Sequence, residues 1–464
     1  MSPVLLKAGV PTFHSKMSPM KYLTLFLFAV CLAPSFGLQA QSAMLILRNV
    51  NLIDGNGALK KRVDVVIQGG KIKVIDVHLP TTGAKEIDLS GKTIMPALIS
   101  AHSHLGTIKG NTTNGSNYTR ENLLAHLKRY EDYGVLTVLA MGTDHPPLFE
   151  NGLYDSIRNG LLPGARLYSA GYGFGVNEGG PPLEFGMDKV FRPTDPAQVK
   201  EEVQELKRIH VAVVKMWVDD FAGRFQKMKP EVYHEIIKQC HANNLRVASH
   251  VYYLDDAKNL VKDGVNILAH SIRDKDIDDA LMNEMKQKHV VYIPTLALDE
   301  YSFIYAREPE WLNDPFFKAA LEPGVYEVIS SKEYHDNALK SPQLQRNENG
   351  FQMALKNLKK VYQSGLLVAM GTDSGAQPVR AQGFSEHLEL QLMVQAGLTP
   401  LEAITVATKN AAKALNIEKN FGTLEPGKTA DFIVLSESPE TDIRNTRKIE
   451  SVWKAGIKVS KGPL

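Results

Sequence analysis

The sequence predicts an α/β fold, a parallel (β/α)8 TIM barrel inserted into a small β-sandwich domain built from both chain ends. Three observations predict it. Apolar runs at 94–100, 137–141, 166–171, 211–218, 246–250, 266–270, 290–296 and 366–372 alternate with segments of helical periodicity. The flanking stretches 44–93 and 416–464 alternate apolar and polar residues every second position, broken by Asp54-Gly55-Asn56-Gly57, Gly69-Gly70 and Gly456. The 464 residues suffice for a full barrel plus a smaller domain.

In chain order, Met20-Lys21-Tyr22 opens an apolar run over 23–32, followed by Pro34, Ser35, Gly37 and small or polar residues to Ala43. A positive start, a short apolar centre and a small-residue end describe a secretory signal peptide, with cleavage after Ala40 or Ala43. Residues 1–43 therefore stand outside the fold, and the expected location is secreted or periplasmic. The apolar run is too short to span a bilayer, so no membrane span is expected in the mature chain. Residues 1–19 lack this logic and read as an upstream extension of a start at Met20 or Met17. Cys31 falls in the signal and leaves Cys240 alone, so no disulfide framework braces the fold.

Strands of the end domain are expected at 44–51, 64–68, 71–77 and 86–89, and again at 430–435, 449–455 and 457–459. Barrel helices are expected at 120–133, 148–159, 195–209, 229–243, 254–263, 276–288 and 352–364, with 385–395 and 400–415 after the last strand. The stretch 297–350 is too long for a plain connection and reads as a partly helical lid. A hydrophobic fraction of 44% and a charged fraction of 22% are those of an ordinary globular protein. The formal charge of +2, with basic residues scattered, implies no nucleic-acid partner. The expected partner is a small-molecule substrate, with self-association into a homo-oligomer left open.

The barrel strands end in residues that carry chemistry. His102 and His104 follow the first run and project to the same side, because extended side chains repeat every two residues. Lys215 interrupts the apolar stretch 211–218, where an ammonium is costly unless paired or neutralised. Alone, it reads as a lysine paired with Asp219 or Asp220. His250 and His270 end the fifth and sixth runs, where a single histidine would be a hydrogen-bonded core residue. Asp373, in Gly371-Thr372-Asp373-Ser374-Gly375, ends the eighth and could otherwise cap the next helix. Residues at the C-terminal ends of different barrel strands converge on one site, which lifts the set above its members.

This pattern resembles the amidohydrolase superfamily over nearly all of the mature chain. The superfamily's ligands are His-x-His after strand one, Lys after strand four, His after strands five and six, and Asp after strand eight. His102, His104, Lys215, His250, His270 and Asp373 match them one by one. The closing Gly422-Thr423-Leu424-Glu425-Pro426-Gly427-Lys428-Thr429-Ala430-Asp431-Phe432 is similar to the superfamily's C-terminal segment. The lysine places the likeness nearest the binuclear branch of prolidase-like dipeptidases, metal-dependent carboxypeptidases and the fungal ochratoxinase.

The resemblance implies two divalent metal ions, expected to be zinc, bridged by an N6-carboxylated Lys215. It implies amide hydrolysis by a metal-bridging hydroxide, with Asp373 as the catalytic base. His102, His104 and Asp373 would hold one ion and His250 and His270 the other. Two departures stand out. Pro96-Ala97-Leu98-Ile99-Ser100 replaces the usual Pro-Gly-Leu-Ile-Asp, and Gly171-Tyr172-Gly173-Phe174-Gly175 lacks a histidine that some relatives carry.

Candidate substrate contacts are Arg273, three residues past His270, and Arg380, His145 and Tyr252 at other strand ends. Arg273 offers a fork of donors to a substrate carboxylate, or else pairs with Asp274 or Asp276. Lid aromatics Tyr301, Phe303, Tyr305, Trp311, Phe316 and Phe317 would close over an apolar group or pack the lid's own core. The alternatives are a lactonase or phosphotriesterase-like hydrolase, a mononuclear deaminase, which needs no strand-four lysine, and a silent binding protein. A serine hydrolase is disfavoured by the lack of a Gly-x-Ser-x-Gly elbow.

Overall fold

Strands from the two chain ends share one hydrogen-bonded mixed sheet in the computed structural model, which describes residues 44–80 and 83–464. The signal-peptide segment lies outside the described residues. Leu45–Ile53 pairs antiparallel with Leu59–Gln68 and parallel with Lys85–Asp88 and Thr93–Pro96. Gly69 and Gly70, at φ +61° and +73°, make the turn into Lys71–Asp76, a backbone conformation that costs glycine little. The two ends meet where Thr93–Pro96 pairs antiparallel with Phe432–Leu435, and Ile449–Lys454 and Ile457–Ser460 continue the sheet. Leu47, Val65, Ile67, Ile94 and Phe432 form a core of their own, with Trp453 stacked 5.5 Å from the Phe432 ring.

A second set of strands is entirely parallel. Leu98–Ser103 pairs with Val135–Ala140, which pairs with Arg166–Ser169. Val214–Trp217, Val247–His250, Ile267–Ala269 and Val291–Ile293 pair in sequence. Single parallel bridges join the two groups: Phe174 to Met216, Tyr292 to Val368, and Ser374 back to Ser103. The pairings thus return to the strand from which they began. The eighth position, expected at 366–372, is held by bridges at Val368 and Ser374 rather than by a regular strand.

One expected strand is in fact two. The run 94–100 divides at Ala97 into Thr93–Pro96, in the end sheet, and Leu98–Ser103, in the parallel set. A continuous apolar run carries no mark of this change of partner, because both halves are buried.

The helices fall close to where expected, although the one expected at 352–364 begins earlier, as Leu344–Gln363, and the one expected at 400–415 is interrupted by a π-helical turn, Val406–Asn410. Thr119, Asp195 and Asp278 cap Arg120–Asp132, Pro196–Arg208 and Asp279–Gln287 by accepting backbone N–H groups. The helix expected at 148–159 is shorter, Leu153–Arg158, because Pro146 and Pro147 open a separate 3₁₀ turn, Pro146–Phe149. The 297–350 segment consists of short helices running into the long Leu344–Gln363. Tyr301, Tyr305, Trp311, Phe316 and Phe317 are buried there and Phe303 is half-buried. Trp311 packs edge-on to Phe317 at 4.7 Å and near Phe384 at 5.2 Å, so these rings build the segment's core.

Candidate active site

The parallel strands, and the bridged segment that takes the eighth position, bring His102, His104, Lys215, His250, His270 and Asp373 near one another. His102 ends Leu98–Ser103, and a side chain at Gly371 would meet it at 2.6 Å, which is why that neighbour has none. Gly375, at φ +79°, likewise approaches the His104 carbonyl. His270 and Asp373 adopt left-handed backbone conformations at φ +76° and +60°. Such residues are uncommon outside glycine and gather at functional sites.

Ligand atoms of His102, His270 and Asp373 lie within 4.8 Å of one another. Asp373 Oδ1 is 2.8 Å from His104 Nε2 and 3.1 Å from His102 Nε2. The His250 and His270 ring centroids are 4.2 Å apart, and those of His102 and His270 4.6 Å. Threonine hydroxyls orient two of the rings from behind. Thr143 Oγ1 meets His104 Nδ1 at 2.7 Å, and Thr295 Oγ1 meets His270 Nδ1 at 2.8 Å. That arrangement fixes ring orientation in metal-binding histidines.

The buried atoms left over fit a cation site. Both ring nitrogens of His102, Nδ1 of His250 and Nζ of Lys215 are buried without a hydrogen-bond partner among the described residues. The His102 Nε2 approach to Asp373 is close but lacks hydrogen-bond geometry. Burial holds His102 and His270 well below the usual imidazole range, and burial also lowers His250, so all three favour the neutral form that ligates. Burial pushes the Lys215 amine down to about 7. Burial alone would raise the Asp373 carboxyl, but His104, His102 and Arg380 outweigh it and hold the acid well below its usual range.

His104, His250 and Asp373 reach the surface of a cavity of about 320 Å³. Its apolar side comprises Pro181, Phe185, Met187, Trp217 and Phe221, and Phe221 stacks on His250 at 5.2 Å. Tyr252, Arg273 and Arg380 are on the wall, but the two arginines are paired. Arg273 donates to Asp299 at 2.7 Å and to the Val251 carbonyl at 3.1 Å, and Arg380 donates to Asp373. The partner of Arg273 is thus neither Asp274, which caps Leu254, nor Asp276, which takes Lys356. His145 is not on this wall. It is buried, stacked on Tyr118 at 4.9 Å, with Nε2 3.0 Å from the Gly186 carbonyl oxygen. The lid aromatics do not line the cavity either.

Several residues carry more than the sequence suggested. Asp219, read as a partner for Lys215, sits 3.4 Å from His250 Nε2 and lines the cavity, leaving the amine without a hydrogen bond and 5.0 Å from the Trp217 ring centroid. Its only sequence signal was its place just past a strand end. Glu386, fully buried, accepts from Ser100 at 3.0 Å, Thr372 at 2.7 Å and Ser374 at 3.0 Å. This hub explains the departure at position 100: an aspartate there would set a second carboxylate against Glu386, whereas a serine donates to it.

The Amidohydrolase family profile matches residues 93–459. The chain belongs to the amidohydrolase family. Ochratoxinase from Aspergillus niger is 29% identical over 246 residues, which is 52% of this chain and 43% of that protein. Imidazolonepropionase from Deinococcus deserti is 40% identical over 107 residues, 22% of this chain and 26% of that protein. The chain thus spans less than half the length of the curated relatives it matches. A Xaa-Pro dipeptidase structure with bound methionine aligns at TM-score 0.70 and 22% identity, over 90% of this chain and 99% of its own. The Aspergillus niger ochratoxinase structure aligns at TM-score 0.67 and 22% identity, over 91% and 96%. This amidohydrolase-family chain shares their fold.

Proposed function

We propose that the chain is a secreted or periplasmic binuclear metal-dependent amidohydrolase that cleaves the amide bond of a dipeptide or an N-acyl amino acid. The closed circuit of parallel pairings, with helices between, supports reading the central unit as a (β/α)8 barrel. The single mixed sheet of the end strands, with a core of its own, supports a small β domain rather than two facing sheets.

The observation that carries the reading is Lys215, an amine buried without a hydrogen-bond partner and close enough to His102, His250, His270 and Asp373 for their charges to interact. A charged ammonium so placed costs several kcal/mol. With its pKa near 7 the amine is substantially neutral, and a neutral amine adds CO₂ with loss of a proton to give a carbamate. The two carbamate oxygens suit two cations.

His102, His104 and Asp373 would hold one divalent ion, His250 and His270 the other, and carboxylated Lys215 would join them. The nitrogen-rich donor set suits zinc. When bound, the ions supply a polarised carbonyl and an acidified water. Asp373 takes the proton released as water attacks and returns it to the departing amine, a step typically worth ~10²–10⁴ in rate. Thr143 and Thr295 keep the rings of His104 and His270 turned toward the centre. Phe185, Met187, Trp217 and Phe221 seat an apolar group and exclude water around the scissile bond.

Metal analysis coupled to a screen of dipeptides and N-acyl amino acids tests this. About two divalent ions per chain are expected, with turnover lost on chelation and regained on refilling; full turnover of a metal-free protein would sink the reading. For location, deleting residues 1–19 should leave export intact, and loss of export would show that the signal begins earlier.

A further inference from the structure

We propose that Arg346 anchors the free carboxylate of the substrate, which restricts the enzyme to peptides and acyl amino acids that end in a carboxylate beside the scissile amide. This rests on the amide-hydrolase reading and names its substrate class.

Four arginines line the cavity: Arg224, Arg273, Arg346 and Arg380. Three have acid partners in the protein. Arg224 pairs with Glu184 at 2.6 Å, Arg273 with Asp299 at 2.7 Å, and Arg380 with Asp373. Arg346 makes no ion pair or hydrogen bond among the described residues, and it is half-buried. The acids on the same wall, Asp219 and Asp373, are occupied by His250 and by His104 and Arg380.

What holds Arg346 leaves its donors free. Its guanidinium lies 4.4 Å from the Tyr252 ring centroid, and the same ring carries Arg273 at 4.6 Å. A cation–π contact uses the face of the guanidinium and none of its N–H groups. The planar fork therefore stays available for a bidentate carboxylate. Arg346 also stands in the first turn of the 20-residue helix Leu344–Gln363, a rigid support. The two guanidiniums near Tyr252 have different duties: Arg273 neutralises a buried acid and positions the ring, while Arg346 carries the charge that the protein itself leaves unmatched. A cavity of about 320 Å³ that also exposes His250 and Asp373 has room for one amino acid with a small acyl group.

The test compares N-acetyl-L-leucine with its carboxamide on metal-loaded wild type, Arg346→Met, Arg346→Lys and Arg273→Met. Both kcat/KM and calorimetric Kd are read. Wild type should prefer the acid, and Arg346→Met should cut the acid-over-amide ratio roughly tenfold to a hundredfold, the worth of a charged hydrogen bond. Arg346→Lys, which keeps the charge but loses the fork, should keep part of the preference; this settles the matter if the methionine variant does not fold. Arg273→Met should weaken acid and amide alike. An unchanged ratio in both Arg346 variants overturns the proposal, as does a ratio that collapses in Arg273→Met alone. If wild type hydrolyses neither compound, the hydrolase reading fails while binding still decides the anchor: acid preference lost in Arg346→Met supports it, and absence of acid preference in wild type overturns it.

Discussion

At the floor of the site, behind the cavity surface that His104, His250 and Asp373 reach, His102 and Lys215 are fully buried yet leave ring and amine nitrogens without a hydrogen-bond partner. At its wall, Arg273 and Arg380 are less buried and each already pairs with a carboxylate. The difference separates two uses of charge. A buried polar atom without a partner pays its desolvation cost continuously, so a fold retains it where something else supplies the partner. A paired arginine has its partner in the protein, and its removal is felt first in stability. The floor groups thus offer ligands to a partner from outside the chain, whereas the ion pairs of the wall hold shape, even though Arg273 Nε and Asp299 Oδ2 are themselves left without a hydrogen bond.

The comparison can be broken most sharply at Lys215. Lys215→Ala should lose most of its bound metal and fall to background turnover, and short free carboxylates should partly restore both by standing in for the carbamate. Full activity without added acid would remove the floor's special status. Next, Asp373→Asn should keep its fold and some metal while kcat drops by ~10²–10⁴, the usual worth of a general base; near-wild-type turnover would assign the proton transfer elsewhere.

On the wall the expected losses shift from rate to stability. Arg273→Met leaves Asp299 buried and unpaired, which should cost about 3–5 kcal/mol in denaturant unfolding. The loss should depend on pH. Burial already lifts the Asp299 carboxyl from 3.8 to about 6, so the folded state holds its proton longer than the unfolded state and stability falls as pH rises across that window. Without the guanidinium the window extends above 6, so the variant's deficit should be larger at pH 8 than at pH 5. A deficit independent of pH would show that Asp299 does not depend on Arg273. Smallest, Glu386→Ala should cost about 1–3 kcal/mol, because the hydroxyls of Ser100, Thr372 and Ser374 lose a shared acceptor. Its effect on kcat should stay well below that of Asp373→Asn, since Glu386 acts on the loop and not on the reacting atoms.

Much of the floor was legible in the sequence because its residues break a pattern. A lysine inside 211–218, or His-x-His after an apolar run, stands out where only apolar side chains are expected. The wall had no such pattern. Arg273 and Arg346 are 73 positions apart and meet over one ring, a relation that exists only after Leu344–Gln363 packs. Proximity along the chain favoured Arg273 as the carboxylate partner; its pairing with Asp299, 26 residues on, was invisible. The lid aromatics read equally well as substrate contacts or as core, because composition states that a ring will be buried and not against what.

The sequence by itself pointed to the alternation of strands and helices, to strands from both chain ends lying together and to a set of strand-end residues facing one centre. These follow from periodicities of two and 3.6 and from the rule that parallel strands present their C-terminal ends together. Only the tertiary structure decided where 94–100 changes sheets, that Asp219 turns to His250, that Ser100 answers Glu386, and which arginine keeps an unmatched charge. Each is a question of which long-range partner satisfies a buried polar group. Local sequence sets the need for a partner, and only the packed chain supplies the distance that meets it.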